Sequence, residues 1–225
     1  KADASRIYGL ELEHMLSPHN LNFLVYNDTL IEEHIIGIPG DEFIENMLPH
    51  CTSSEKAQIA KEFVKFNERC MIRLLGDMRS YNYVIVPTHD FDHVVYNIRA
   101  IDFDQQCFEG KFNVYRPQFF KENFKMVDLV TQRFEKQSIN QYKLEERSIV
   151  AKRMLSFKNR IDLLIQCMIS DTLSTSEHET LLKTKIFEYT RDVEFMKSKN
   201  MGEILKNSLS FVKRNYQTEN TGIFF

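Results

Sequence analysis

A capped amphipathic helix that ends in front of two strand-like runs is the feature that most limits how this chain can fold. Thr52 and Glu55 have the spacing of a capping box, in which each side chain accepts a bond from a backbone N–H at the helix start. Apolar residues then recur every three or four positions and predict one buried stripe: Ile59, Phe63, Phe66, Cys70 and Leu74. The pattern stops at Gly76-Asp77, so we expect the helix to deliver Asp77 to a loop.

Two pairs of strand-like runs flank this helix. After it, residues 83–86 and 94–101 have the β-branched and aromatic content of two strands, which a polar segment, 87–93, joins. Before it, residues 21–26 and 29–36 predict a hairpin around the turn pair Asn27-Asp28. We therefore expect two antiparallel hairpins.

Helical patterns cover most of the remaining chain. They predict helices over residues 5–16, 119–134 and 145–170, from residue 176, and from 201 to about 216. Only seven Gly and five Pro among 225 residues argue against a turn-rich all-β protein, and a hydrophobic content of 43% is enough for a sizeable core. The sequence thus predicts an α+β fold, in one large domain or two small ones.

Charge and cysteine usage limit the class of partner. The net charge is −3, and no long basic run offers a footprint for nucleic acid. No run of about 18 apolar residues exists to cross a membrane. The four cysteines lie far apart without a C-x-x-C pair, which fits neither a zinc site nor a disulfide framework. We expect no nucleic-acid or membrane partner and a cytoplasmic location.

Four polar residues near the second hairpin have the chemistry that phosphoryl transfer requires. The reaction needs a carboxylate to hold the acceptor hydroxyl, oxygen ligands for Mg²⁺, and a cation on the transferred group. Asp77, Asn82 and Asp102 supply the oxygen atoms, and Arg79 supplies the cation. An Asp and an Asn five residues apart are common by chance, so the order of helix, loop, hairpin and second motif provides the specificity.

The loop Leu75-Gly76-Asp77-Met78-Arg79-Ser80-Tyr81-Asn82 and the later Ile101-Asp102-Phe103-Asp104 resemble motifs of the protein kinase-like superfamily. The resemblance is to its atypical and small-molecule branches, where G-D-x-x-x-x-N replaces the H-R-D loop. It implies ATP and Mg²⁺ as cofactors and the following roles: Asp77 as catalytic base, Arg79 on the transferred phosphate, and Asn82, Asp102 and Asp104 as metal ligands.

The same resemblance divides the chain into two lobes. Residues 1–36 look like the end of a small lobe, and residues 37–225 look like a helical large lobe. It implies further nucleotide-binding residues: Lys1, Glu11 and a hinge formed by Glu32, Glu33, His34 and Ile35. No Gly-rich phosphate loop occurs in this sequence, so a bound ATP would have a small-lobe lid only if such a loop lies upstream of Lys1.

A second Asp-Phe-Asp tripeptide, at 90–92, competes with Asp102 for the metal role. It follows Asn82 by only eight residues, too few for two strands and a turn, and we reject it. His89 and His93 could instead join Asp90 and Asp92 in binding a transition metal. In a strand, however, the histidines and the aspartates would face opposite sides, which favours a solvated turn.

The sequence therefore predicts an ATP- and Mg²⁺-dependent phosphotransferase that acts on a hydroxyl of a protein or small molecule. An alternative is a catalytically inactive kinase-like module that acts as a protein-interaction or regulatory scaffold. Leu75, in place of the usual His, and the missing Gly-rich loop favour that alternative. A third possibility, an all-helical scaffold, predicts no paired strands at 83–101.

Overall fold

The computed structural model describes residues 4–90 and 93–216 and has an α+β fold. The N-terminal part comprises helix α1 (Ala4–Leu16) and a hairpin of strands β1 (Phe23–Tyr26) and β2 (Thr29–Glu32). Asn27 turns the chain with a left-handed φ of 48°, which asparagine tolerates well. The hairpin was predicted, but its second strand ends at Glu32 rather than at residue 36. The strand ends there because the pairing with β1 ends there: the last bond between the two strands runs from the backbone N–H of Glu33 to the carbonyl of Asn22.

A short irregular segment leads into the long central helix. It consists of strand β3 (Ile38–Pro39), helix α2 (Gly40–Glu42) and two further turns, Phe43–Met47 and Leu48–His50. Helix α3 (Ser53–Arg73) follows, with the predicted capping box. The hydroxyl of Thr52 accepts a bond from the backbone N–H of Glu55, whose carboxylate accepts a bond from the N–H of Thr52.

Removing this cap should measurably weaken the protein. The substitution Thr52→Ala leaves a backbone N–H of the first turn without its side-chain partner, so we expect the free energy of unfolding to fall by about 1 kcal/mol. Urea denaturation measures the change. Ser54→Ala, in the same exposed turn, is the matched control and should lie within about 0.5 kcal/mol of the parent protein. Equal stability of the two variants would contradict the role of the cap.

The second predicted hairpin is confirmed and is longer than expected. Strands β4 (Tyr83–Asp90) and β5 (His93–Ala100) pair antiparallel, and β3 adds a third strand in the order β3-β4-β5. The segment 87–93, expected as a polar link, instead continues the ladder up to the pair Asp90 and His93. Pro87 fits there because β3 covers only residues 84 and 85, which leaves one side of β4 as an edge. The paired strands exclude the all-helical alternative.

Five helices form the C-terminal part: α4 (Phe124–Arg133), α5 (Lys136–Ser156), α6 (Lys158–Ser170), α7 (Ser176–Thr190) and α8 (Met201–Asn215). Three boundaries differ from the prediction, and the first is that α5 begins at Lys136 rather than at residue 145. The helix expected from 119 begins at Phe124, because residues 112–123 wind into three short 3-10 turns. The helix expected over 145–170 is two helices, since the backbone of Phe157 leaves the helical conformation (ψ 20°).

Two apolar cores meet on α3. One packs Phe63 and Phe66 of α3 against the β4-β5 hairpin and α4. The other packs Ile72 against α1, α6, α7 and α8, and includes Leu12 and Met15 of α1. Helix α3 is therefore fixed on both sides, and its C-terminal end is a rigid support for the loop that follows. Among the described residues, no helix is long and apolar enough to cross a bilayer.

Buried charges join the helices around α3. Arg69 bonds Glu146 of α5 and Glu62, with nitrogen–oxygen distances of 2.9 Å, while Arg73 pairs with Glu13 of α1. The pKa of the mostly buried Glu62 is raised, because burial disfavours its charged form. The sequence did not indicate this network, which sets the relative positions of α1, α3 and α5.

Candidate functional site

The loop after α3 is tied to the chain that follows the second hairpin. Leu74 ends the helix in a left-handed conformation, with φ 55°. The backbone N–H groups of Gly76 and Asp77 then donate to the carbonyls of Gln105 and Val114, both at 3.1 Å. A side chain at Gly76 would lie 3.0 Å from Val114 Cγ1 and 3.1 Å from the carbonyl of Gln105, so glycine permits this close approach.

Asp77 and Asn82 meet within this loop. The side-chain amide of Asn82 donates to the backbone carbonyl of Asp77 at 2.7 Å and lies 3.4 Å from its Oδ2. Asp77 has a left-handed φ of 56°, which a short polar side chain accepts more readily than a branched one. The carboxylate of Asp77 is about one third exposed (35%), so it is open to a reactant.

Arg79 holds the carboxylate of Asp77 from the other side. Its Nε donates to Oδ1 of Asp77 at 2.8 Å, and its Nη1 donates to Glu122 at 2.9 Å. The guanidinium also lies over the ring of Phe120, 4.9 Å from its centre. The hydrogen bond to Asp77 raises the pKa of Arg79 above the ordinary value of an arginine. Asp77 and Arg79, predicted as a catalytic pair, are therefore in direct contact.

Glu122 is a residue of this site that sequence reasoning missed. It lies in the 3-10 turn Lys121–Asn123, 43 positions after Arg79. A bond to its own backbone, followed by the nearby Arg79, lowers its pKa. Its second oxygen, Oε2, is buried without a hydrogen-bond partner among the described residues. No local motif marks this glutamate, because the turn that positions it forms through long-range contacts.

The hairpin returns the chain to Asn82. Tyr83 pairs with Ala100, and the N–H of Ile101 donates to the carbonyl of Asn82 at 3.1 Å. The hairpin therefore brings the chain back to Asn82 at Ile101, one residue before Asp102, as predicted. Asp90 lies at the far end of β4, roughly 25 Å from Asn82. The side chains of the 89–93 segment are outside the described residues, so the structure tests neither the solvated turn favoured by the sequence nor the transition-metal alternative.

Phe103 fixes the second motif against α1. Its side chain is buried and lies so close to Gly9 that a Cβ on that glycine would be 2.8 Å from the Cβ of Phe103. Oδ1 of Asp102 accepts a bond from the N–H of Asp104 at 3.1 Å, which closes the motif on itself. The two aspartates therefore extend from a rigid segment next to the start of α1.

Arg6 of α1 contacts both aspartates and was also missed. Its Nη1 lies 3.3 Å from Oδ1 of Asp102 and 3.0 Å from Oδ1 of Asp104. The opposite edge of its guanidinium, Nε and Nη2, donates to both carboxylate oxygens of Glu32, at the end of β2. The bond to Glu32 raises the pKa of Arg6 well above its ordinary range. These contacts span 26 to 98 positions of sequence, so no local pattern predicts them.

The residues predicted to bind nucleotide are not all brought to this site. Glu32 reaches it through Arg6, whereas Glu11 bonds Arg160 of α6, with both nitrogen–oxygen distances at 2.9 Å. The remaining hinge residues do not contact Asp102 through any described bond: Glu33 accepts bonds from Asn22, His34 is exposed and Ile35 is buried. Lys1 lies outside the described residues.

The oxygen atoms at this site suit Mg²⁺. The amide nitrogen of Asn82 is used within the loop, and neither its Oδ1 nor Oδ2 of Asp102 accepts a hydrogen bond from a described residue. Amide and carboxylate oxygens are hard ligands, and Mg²⁺ is usually held by one or two carboxylates together with phosphates and water. No group of three or more His, Cys, Asp or Glu positioned to hold a metal occurs within the described residues. The candidate ligands are therefore two oxygens, Oδ1 of Asn82 and Oδ2 of Asp102.

Comparisons of this chain with protein-family models, with curated proteins and with solved structures found no match.

Proposed function

We propose that this protein is an ATP- and Mg²⁺-dependent phosphotransferase with a protein kinase-like fold, acting on a hydroxyl group. One observation carries the proposal, namely the hydrogen-bonded path from Asp77 through Asn82 to Ile101, the residue before Asp102. It joins the proposed base to two proposed metal ligands, which lie 20 positions apart in the sequence. The order of helix, loop, hairpin and Asp-Phe-Asp supports the same conclusion.

Each side chain has a distinct part in the proposed reaction. When bound, Mg²⁺ supplies positive charge that offsets the charge of the phosphates. Asn82 and Asp102 would hold it through Oδ1 and Oδ2. The carboxylate of Asp77 orients the acceptor hydroxyl and accepts its proton, while Arg79 keeps that carboxylate in place and faces the transferred group. Glu122 orients Arg79 by accepting the hydrogen bond from its Nη1.

The acceptor is a hydroxyl-bearing protein or small molecule, and the backbone of residues 32–35 is the proposed contact for adenine.

Magnesium-dependent nucleotide binding tests the proposal. A ligand that binds only the folded state at 100 times its Kd adds about 2.7 kcal/mol of stability, so ATP with Mg²⁺ should raise Tm by several degrees. Asp102→Ala should remove this shift. Asp128→Ala, at an exposed aspartate on α4, should retain it. An equal shift in the Asp102→Ala protein would exclude Asp102 as a metal ligand.

A catalytically inactive kinase-like module is the second candidate. The observation that favours it is the contact of Arg6 with both Asp102 and Asp104, which occupies the proposed metal ligands. An inactive module would show no Mg²⁺-dependent rise in Tm even after Arg6 is replaced. The phosphotransferase proposal requires that rise.

A further inference from the structure

We propose that Arg6 is a latch on the metal site: its guanidinium competes with the divalent cation for Asp102 and Asp104. This inference rests on the proposed function and adds a control on the same site. It concerns the chain's own side chains, and metal binding alone can test it.

The position of Nη1 carries the argument. This nitrogen lies between the two carboxylates, 3.3 Å from Oδ1 of Asp102 and 3.0 Å from Oδ1 of Asp104. A metal that bridges the same two oxygens, Oδ1 of Asp102 and Oδ1 of Asp104, must take the same position, at about 2.0 to 2.1 Å from each oxygen. The two cations exclude each other there. Oδ1 of Asp104 can therefore join Oδ1 of Asp102 in binding a metal only after the Arg6 side chain has moved away.

The local charge favours an incoming divalent cation. Glu32, Asp102 and Asp104 surround a single guanidinium, which leaves two negative charges uncompensated within the cluster. A free phosphate would be repelled by this excess, whereas Mg²⁺ or a metal-bound nucleotide would be attracted. Arg6 reduces the attraction by one charge, because an arginine stays protonated at any physiological pH. The latch thus weakens metal binding without abolishing it.

The other end of the latch is anchored on the hairpin. Nε and Nη2 of Arg6 bond the two oxygens of Glu32, a paired geometry that fixes the plane of the guanidinium. Glu32 is the last residue of β2 and the first residue of the proposed adenine contact. The backbone of α1 is itself held by the packing of Gly9 on Phe103. Release of the aspartates therefore requires the Arg6 side chain to move with Glu32, which couples metal access to ligand binding at the hairpin.

Manganese titration without nucleotide tests the latch, with Mn²⁺ as a paramagnetic substitute for Mg²⁺ and free Mn²⁺ measured by electron paramagnetic resonance. Arg6→Gln removes the competing charge and should bind Mn²⁺ about tenfold more tightly than the parent protein. Arg160→Gln is the matched control, because Arg160 forms the same kind of paired contact with another α1 glutamate, Glu11. It should change the affinity less than about twofold. Asp102→Asn should abolish binding.

Three outcomes separate the latch from the proposed function. If Arg6→Gln binds Mn²⁺ with the parent affinity or more weakly while Asp102→Asn loses binding, the latch is wrong and the metal site stands. If no variant binds Mn²⁺ without nucleotide, the latch is wrong, and the proposed function fails as well if Mg²⁺-ATP also gives no rise in Tm. Arg6→Lys keeps the charge and serves if the Gln variant does not fold, as judged by circular dichroism. Its affinity should stay close to that of the parent, and a tenfold gain would overturn the charge competition.

Discussion

Replacing Asp77 by Asn should lower the rate of phosphoryl transfer by about 10²- to 10⁴-fold, the usual contribution of a positioned general base. Asn has the same shape and tolerates the left-handed backbone at this position, so the loop should keep its fold. It cannot accept the proton of the acceptor hydroxyl. It also loses the ionic contact that holds Arg79 in place. Release of ADP from Mg²⁺-ATP, with water as the acceptor when no other hydroxyl is present, measures the rate.

The control for this variant is Asp128→Asn, which makes the same chemical change at an exposed position of α4. It should leave the rate unchanged. Nucleotide binding distinguishes the proposed roles, because Asp77→Asn should keep the Mg²⁺-dependent rise in Tm that Asp102→Ala loses. A rate for Asp77→Asn within threefold of the parent would rule out Asp77 as the base.

Replacing Arg69 by Met should lower the free energy of unfolding by about 3 to 5 kcal/mol, the typical cost of breaking a buried ion pair from one side. Arg69 is 1% exposed and bonds Glu146, Glu62 and the carbonyl of Ile98. Without it, Glu146 and Glu62 lose the arginine that pairs with both of them in the interior. Urea denaturation at pH 7 measures the loss. The control is Lys185→Met at the exposed pair with Glu188, which should cost less than about 0.5 kcal/mol.

Acid should partly rescue the Arg69→Met protein. Burial already raises the pKa of Glu62 in the folded state, and removal of the arginine raises it further. The folded state then binds more protons than the unfolded state, so stability increases as the pH falls through the raised pKa. We expect the variant to regain stability between pH 7 and 5. Adding Glu62→Gln and Glu146→Gln should restore most of the loss at pH 7. A variant whose stability falls on acidification would contradict this account.

Local patterns predicted the elements that carry the site. The capping box and the stripe of α3 come from contacts within one helix, and the composition of residues 83–86 and 94–101 reflects a half-buried sheet, so both signals are present in short windows. The spacing of Asp77 and Asn82 was informative for the same reason. Their contact closes within six residues.

The differences between the predicted and the observed structure come from long-range contacts. Arg6 and Glu122 join the site through partners that are tens of residues away, and nothing in their own neighbourhood distinguishes them from surface charges. The charges of α5 interrupt its apolar stripe because they face the charges of α3 rather than water. The helix predicted from residue 119 starts only at Phe124, because the stretch 112–123 forms 3-10 turns whose Val114 carbonyl and Glu122 side chain bond the loop around Asp77 and Arg79.

Because β4 and β5 pair antiparallel, the number of residues between Asn82 and Asp102 can change without moving the two motifs apart in space. Asn82 and Asp102 flank the base of the hairpin, next to the pair Tyr83 and Ala100. One extra residue in each strand would lengthen the hairpin at its tip and leave Asn82 paired with Ile101, the residue before Asp102. A search pattern for this site should therefore allow the interval to change in steps of two. The tip is also where a tag or an inserted domain could be attached without altering the distance between the two motifs.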